Sequence, residues 1–314
     1  MQKRKLGKTN LEIIPLVFGG NVFGWTLNEK KSFEILDAIV DLGLNAIDTA
    51  DVYSRWAPGN QGGESEIIMG KWLKANPHKR DKLLIFTKVG SDMGGDRKGL
   101  SKRWIVQSVE ESLKRLQIDV IDLYQSHWPD PDVAYEETLL AYDQLLKEGK
   151  IRAIGASNLN AQQLSASLKA AKEHHLPAYQ TLQPEYNLYD RQQFDADLRK
   201  IVVDEQIGVI TYYSLASGFL SGKYRSKEDL KQGARGEKVA DYMNDRGMYI
   251  LDLLDGISQN HQATPAEVSL AWLIAQKEVT APIASATTLS QLQSLVKSLM
   301  LRLTHEEVEL LNKA

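Results

Sequence analysis

Lys30-Lys-Ser-Phe-Glu-Ile-Leu-Asp-Ala-Ile-Val-Asp-Leu-Gly43-Leu-Asn-Ala-Ile-Asp48 contains the unit from which the whole chain is built. Phe33, Leu36 and Val40 recur at helical spacing, which predicts an amphipathic helix over 30–42. Gly43 supplies its C-terminal stop. Asn45–Asp48 then reads as a short apolar strand that ends on a carboxylate. Working outward in both directions, the same alternation of short strand and amphipathic helix recurs. Leu16–Gly19, Leu83–Lys88, Ile121–His127, Arg152–Ser157, Thr181–Glu185, Gly208–Tyr212 and Ala281–Ser285 bring the predicted strands to eight. Ser101–Leu116 begins on a good N-cap and carries Ile105, Val109, Leu113 and Leu116 along one stripe. Val133–Glu148, Ala161–His174, Asp190–Glu205 and Leu289–Leu301 read as helices in the same way.

Apolar strands alternating with helices imply a parallel sheet covered by helices. Eight such units predict an α/β TIM barrel, (β/α)8, with a doubly wound open sheet as the alternative. Arg4–Leu6 and Glu12–Ile14, joined by Gly7-Lys8-Thr9-Asn10, predict an N-terminal β-hairpin plugging the barrel bottom. Thr304–Asn312 predicts an extra C-terminal helix, with Thr304 and Glu307 as its capping box. Tyr224–Arg246 is charged and patternless, which predicts a mobile loop. No linker or low-complexity run divides the chain, so residues 1–314 are expected to form a single domain.

The composition narrows the function. Of 314 residues, 43% are hydrophobic and 25% charged, as in a globular protein. The 38 basic and 41 acidic residues leave a net charge of -3, so nothing favours nucleic acid or an anionic membrane as partner. With no cysteine, disulfides, thiolate nucleophiles and cysteine metal sites are excluded. Glu12 and Pro15 interrupt any apolar signal core after the basic start, and no run is long enough for a membrane helix. A cytoplasmic location is expected.

In a barrel of this kind, chemistry collects where each strand ends. The second strand delivers Asp48, with Tyr53 in the loop that follows; Lys88 closes the third strand and His127 the fourth. Ser157 and Asn158 close the fifth, Gln183 lies near the end of the sixth, and Tyr212 ends the seventh. A tyrosine, with an ordinary pKa near 10, is a poor proton donor at neutral pH unless a cation such as Lys88 lowers that value. Asp48 would keep the Lys88 ammonium charged and in place. His127 would orient a substrate oxygen or share the proton transfer. Read alone, a strand-end Asp, Lys or His is more often structural; together the four form a coherent acid–base device.

Other chemistries fit less well. Of six histidines only His127 ends a strand, so no metal site is expected. The sequence has no Gly-x-Gly-x-x-Gly, which argues against a Rossmann nucleotide domain. Gly218-Phe-Leu-Ser-Gly222-Lys223-Tyr224 is one residue short of a P-loop and has Tyr224 where a hydroxyl must meet magnesium, yet its amides and Lys223 suit a pyrophosphate. A Schiff-base role for Lys88 is opposed by Asp48, which would keep the amine protonated.

These residues resemble the aldo-keto reductase family, and the resemblance spans essentially the whole chain. Gly43-Leu-Asn-Ala-Ile-Asp-Thr-Ala-Asp-Val-Tyr53 is similar to the family's first signature. Gly63-Glu-Ser-Glu66 with Gly70, Thr87-Lys88, Asp119 to His127, Gly149-Lys-Ile-Arg152 with Gly155-Ala-Ser-Asn158, and Ser217–Tyr224 follow in order. The likeness points to the bacterial and potassium-channel beta-subunit branch. It implies an oxidoreductase that reduces small aldehydes or ketones with NADPH, with Asp48, Tyr53, Lys88 and His127 as the tetrad and Tyr53 as proton donor. It also implies that Ser157, Asn158 and Gln183 hold the nicotinamide carboxamide and that Tyr212 stacks on the ring. Gly20, Asn21 and Asp48 would lie near ring and ribose, and Leu215, Ser217, Gly218, Leu220 and Lys223 would wrap the pyrophosphate. A nicotinamide-sensing subunit with little turnover is the alternative function.

One stretch departs from the pattern. Family members bring Lys or Arg after the eighth strand to clamp the NADP phosphate. Here Ser285 stands at the expected glycine and Gln291 at the expected basic position, with no basic residue until Lys297. Helix N-terminal amides and hydroxyls still suit phosphate, so NADPH is expected and NADH stays open. Trp25, Trp56 and Trp128, with Tyr53 and His127, are expected to wall the substrate pocket. Arg55 and Arg97 are the candidates for a carboxylate clamp.

Overall fold

The computed structural model describes residues 2–232 and 236–314. An antiparallel hairpin opens the chain, β1 (Arg4–Lys5) with β2 (Glu12–Ile13). Eight parallel strands follow: β3 (Val17–Gly19), β4 (Ala46–Asp48), β5 (Leu84–Val89), β6 (Leu123–Ser126), β7 (Ile154–Ser157), β8 (Thr181–Gln183), β9 (Gly208–Thr211) and β10 (Val279–Ala284). β10 pairs with both β9 and β3, which closes the sheet into a barrel and removes the open-sheet alternative. The (β/α)8 reading, the hairpin and the C-terminal helix are all present.

Outside the barrel run α1 (Glu29–Asp41), α2 (Glu64–Ala75), α3 (Lys102–Leu116), α4 (Tyr135–Lys147), α5 (Ala161–Glu173), α6 (Arg199–Asp204), α7 (Gly236–Val239), α8 (Asp245–His261), α9 (Pro265–Ala275), α10 (Leu289–Lys297) and α11 (His305–Asn312). The caps follow the sequence: Ser101 accepts from the Trp104 amide, and Thr304 and Glu307 close a capping box. Two apolar layers result. The smaller lies inside the barrel, where Leu6, Leu11 and Ile13 of the hairpin region pack with Val17, Phe86, Leu123 and Ile210. The larger lies between strands and helices. The hairpin turn seats tightly on the barrel bottom. Gly7, at φ +57, approaches Gly208 so closely that a Cβ on Gly7 would lie 2.4 Å from the Gly208 nitrogen.

Several expectations need correction. The segment 224–246 carries secondary structure where described. Tyr224 is buried, a 3-10 turn spans Lys227–Gln232, and α7 and a further turn at Ala240–Tyr242 lead into α8. Val239 is buried and Tyr242 stacks on Phe219, apolar anchors that a reading of charge alone passes over. Residues 233–235 of that segment lie outside the described residues. The expected helix Asp190–Glu205 is interrupted by a π turn at Phe194–Leu198, with Ala196 out of helical geometry, before α6. In α1 the buried stripe is Ser32, Ile35, Leu36 and Ile39, while Phe33 and Val40 pack at its margins.

Candidate functional site

β4 and β5 lie side by side, with Asp48 beside Phe86 in the register, so Asp48 and Lys88 end on the same rim. Lys88 is wholly buried and Asp48 is 2% exposed. The Lys88 ammonium donates to Asp48 Oδ2 at 2.5 Å, to the Thr49 carbonyl at 2.8 Å and to the Tyr53 hydroxyl at 3.0 Å. All three ammonium protons are therefore engaged. The other carboxylate oxygen of Asp48 accepts from Gln183 at 2.9 Å and Gln125 at 3.2 Å. A buried ion pair costs desolvation on both sides, and this number of hydrogen bonds is what makes it tolerable.

Tyr53 reaches the pair because its loop is pinned to the next strand. The Thr49 amide donates to the Phe86 carbonyl at 2.8 Å and the Asp51 amide to the Lys88 carbonyl at 3.2 Å. His127 follows β6 directly, its amide bonded to the Val89 carbonyl and its Nδ1 2.9 Å from the Ser91 hydroxyl. The Tyr53 and His127 ring centroids are 6.0 Å apart. Trp56 sits 5.8 Å from Tyr53 and 5.7 Å from Trp25, and Trp128 stacks on His127 at 5.8 Å. The five aromatic side chains thus form one continuous wall, with Trp56 and Trp128 about half exposed (48% and 49%). Arg55 bonds the Asp92 backbone carbonyl, and Arg97 bonds that of Met93 at 2.8 Å.

The electrostatics differ in one respect from the expectation. Burial pushes the Tyr53 phenol up to about 12; Lys88 opposes this and Asp48 reinforces it. The cation does favour phenolate, but its paired carboxylate cancels much of that pull, so the resting phenol holds its proton firmly. Burial works against the Lys88 ammonium, yet Asp48 and Tyr53 outweigh it and hold Lys88 above its ordinary value. His127 is driven well below its ordinary value by burial and by Lys88, leaving a neutral imidazole at physiological pH.

A second constellation adjoins the first. Ser157, at the end of β7, donates to the Gln183 carbonyl at 2.8 Å. Asn158, at φ +61, donates to the His127 carbonyl at 2.9 Å and accepts from the Tyr212 hydroxyl at 2.7 Å. The Ser285 hydroxyl lies 2.7 Å from Asn21 Oδ1 and 2.8 Å from the Gly19 carbonyl, so Gly19, Asn21 and Ser285 meet at the β3–β10 seam, while the Gly20 carbonyl accepts from Ser65 at 2.8 Å. After β9, Ala216, Ser217 and Gly218 have successive φ values of 47°, 57° and 102°. The turn closes on itself: the Ala216 amide donates to the Tyr213 carbonyl at 2.7 Å and the Gly218 amide to the Leu215 carbonyl at 2.8 Å. The Ser217 hydroxyl there is buried with no hydrogen-bond partner among the described residues. Leu220 is buried below the same turn, Leu215 is half-buried, and Lys223 is exposed beside Tyr224. Gln291, in the first turn of α10, is exposed and accepts from the Thr287 amide and hydroxyl.

Three members of this network are absent from the sequence reading. Gln125 lies in mid-β6, and a buried amide two residues before a strand-end histidine is the signal that marks it. Ser91 and the Thr49 carbonyl act through loop geometry and leave no such mark.

The sequence profile of the Aldo/keto reductase family matches residues 15–314. The chain belongs to this family. It is 32% identical to "Uncharacterized oxidoreductase YrpG" of Bacillus subtilis, over 99% of this chain and 95% of that protein. It is 31% identical to "Protein tas" of Escherichia coli over 98% and 95%. It is also 32% identical to "Probable voltage-gated potassium channel subunit beta" of Arabidopsis thaliana over 95% and 91%. As an aldo/keto reductase the chain is an oxidoreductase. Among the described residues no helix is long and apolar enough to cross a membrane.

Proposed function

We propose that this chain reduces aldehydes or ketones with NADPH as hydride donor, Tyr53 giving the proton. The observation that carries the reading is the phenol of Tyr53, 3.0 Å from a buried ammonium at a mouth walled by aromatic rings. A bound nicotinamide dinucleotide supplies the hydride that a carbonyl carbon accepts. As negative charge gathers on the substrate oxygen, the phenol donates its proton, and the phenolate left behind faces Lys88. The raised pKa keeps the proton in place until that charge develops. Neutral His127 has Nδ1 2.9 Å from the Ser91 hydroxyl, and in the tautomer that accepts there its Nε2–H would orient the oxygen.

Asn158, Ser157 and Gln183 are the groups that would hold the carboxamide, and Tyr212 would flank the ring. The Ser217 hydroxyl and Lys223 would meet the pyrophosphate, a reading supported by the burial of that hydroxyl with no partner among the described residues and by the left-handed turn that carries it. Ser285, the Thr288 N-cap and the exposed Gln291 are the groups that would meet a 2′-phosphate; NADPH is favoured on family grounds and NADH is its rival. Carbonyl compounds of moderate size suit the tryptophan wall, and the cytoplasm is the expected compartment. The second reading, a nicotinamide-sensing subunit, draws on the relative named as a channel subunit.

The test is fluorescence titration with NADPH and NADH, then an aldehyde panel with the tighter binder, for the native protein and Tyr53→Phe. The substitution should lower turnover by about 10²- to 10⁴-fold with cofactor affinity kept. Retained turnover removes Tyr53 as the acid, and cofactor binding with no turnover on any aldehyde moves the assignment to the sensing subunit.

A further inference from the structure

Behind the tetrad lies a second buried charged cluster that the proposed reaction does not use. Asp51 is 1% exposed and Glu66 is wholly buried. Glu66, on α2, accepts from Arg115 of α3 at 2.7 Å and from the Thr87 hydroxyl at 2.6 Å. Asp51, in the loop between Asp48 and Tyr53, accepts from Ser108 of α3 at 3.3 Å through Oδ2. Among the described residues its Oδ1 has no hydrogen-bond partner.

The cations here are already committed. Lys88 is taken by Asp48 at 2.5 Å, and Arg115 by Glu66 at 2.7 Å with Glu111 at 3.7 Å. Asp51 is left buried, facing Glu66 from α2, Arg115 from α3, Tyr124 from β6 and Tyr142 from α4, with no counter-ion of its own among the described residues. A lone carboxylate in such a place is costly, and the group relieves the cost by taking up a proton. We propose that Asp51 is a positioning residue, held in its neutral form, that fixes the Tyr53 loop against β5 and α3.

Its backbone amide donates to the Lys88 carbonyl and its side chain bonds Ser108, so one residue ties the loop to both neighbours. Tyr53 lies two residues further on. Ionisation of Asp51 adds a charge that Glu66 repels and moves the loop, and the 3.0 Å contact between Tyr53 and Lys88 goes with it. Burial, then Glu66, push the Asp51 carboxyl up to about 8, against the pull of Arg115, the Val52 amide and Ser108.

The signs follow from linkage. An ordinary carboxyl ionises near pH 4 in the unfolded chain, whereas Asp51 in the folded chain keeps its proton to about pH 8. Over that window the contribution of Asp51 to stability falls as pH rises. Asp51→Asn has no such penalty, so its melting temperature relative to the native protein should climb steadily from pH 5 to pH 8. A constant difference across that range overturns the neutral Asp51.

The second measurement rests on the reductase reading and uses 4-nitrobenzaldehyde with saturating NADPH. In the native protein kcat should fall about tenfold from pH 7 to pH 9, as one ionisation near 8 requires. In Asp51→Asn the same ratio should stay close to one. Ser108→Ala, which removes a donor that favours the carboxylate, should carry the fall to higher pH. A flat native profile, or an Asn variant with the same fall, overturns the positioning role. The melting series needs no turnover, so a failure of the reductase reading leaves it standing.

Discussion

Lys88→Met tests the centre of the site through its folding energetics. The substitution keeps the length of the side chain and removes its charge, leaving Asp48, 2% exposed, with the Gln125 and Gln183 amides but no cation. Breaking a buried pair from one side costs about 3–5 kcal/mol, because the remaining charge is uncompensated. Urea denaturation of the native and variant proteins at pH 7 measures this difference directly. Lys88→Met should lose about 4 kcal/mol. Adding Asp48→Asn should return most of the loss, since the unpaired charge disappears. A loss below about 1 kcal/mol, or a double variant no more stable than the single one, would refute the reasoning that an isolated buried charge dominates.

Two further perturbations follow from the packing and the cofactor seam. Gly70→Ala in α2 should gain about 1 kcal/mol on helix propensity alone. Its Cβ, however, would lie 2.0 Å from the Arg115 carbonyl of α3, so a net loss of about 3 kcal/mol is expected in the same urea assay. Gln291→Arg places a guanidinium at the exposed start of α10, where the present side chain bonds Thr287, and should raise NADPH affinity over NADH about tenfold by fluorescence titration.

The barrel could be read from the sequence because its strands are short, apolar and regularly spaced, and because caps such as Ser101 and Thr304 act locally. α9 escaped the reading because Val268 through Ile274 are all buried, so the helix is apolar all round and has no stripe to detect. α2 begins with Glu64, Ser65 and Glu66, and the last two are buried for their hydrogen bonds, which a hydrophobic pattern cannot register. The same limit applies to the site. Asp48, Tyr53, Lys88 and His127 stand out because strand ends share a rim, a property of the fold class. Their partners Gln125, Ser91 and Thr49, and the cluster around Asp51, depend on which elements happen to pack together. The direction of the Tyr53 shift was missed for that reason, since it reflects the balance of burial, Lys88 and Asp48 and not the presence of a cation alone.

Leu6, Leu11 and Ile13 of the hairpin region continue the apolar layer that fills the barrel, so the hairpin is anchored by the core it covers. Peeling it away would wet that layer, and its opening should therefore be coupled to that of the barrel itself.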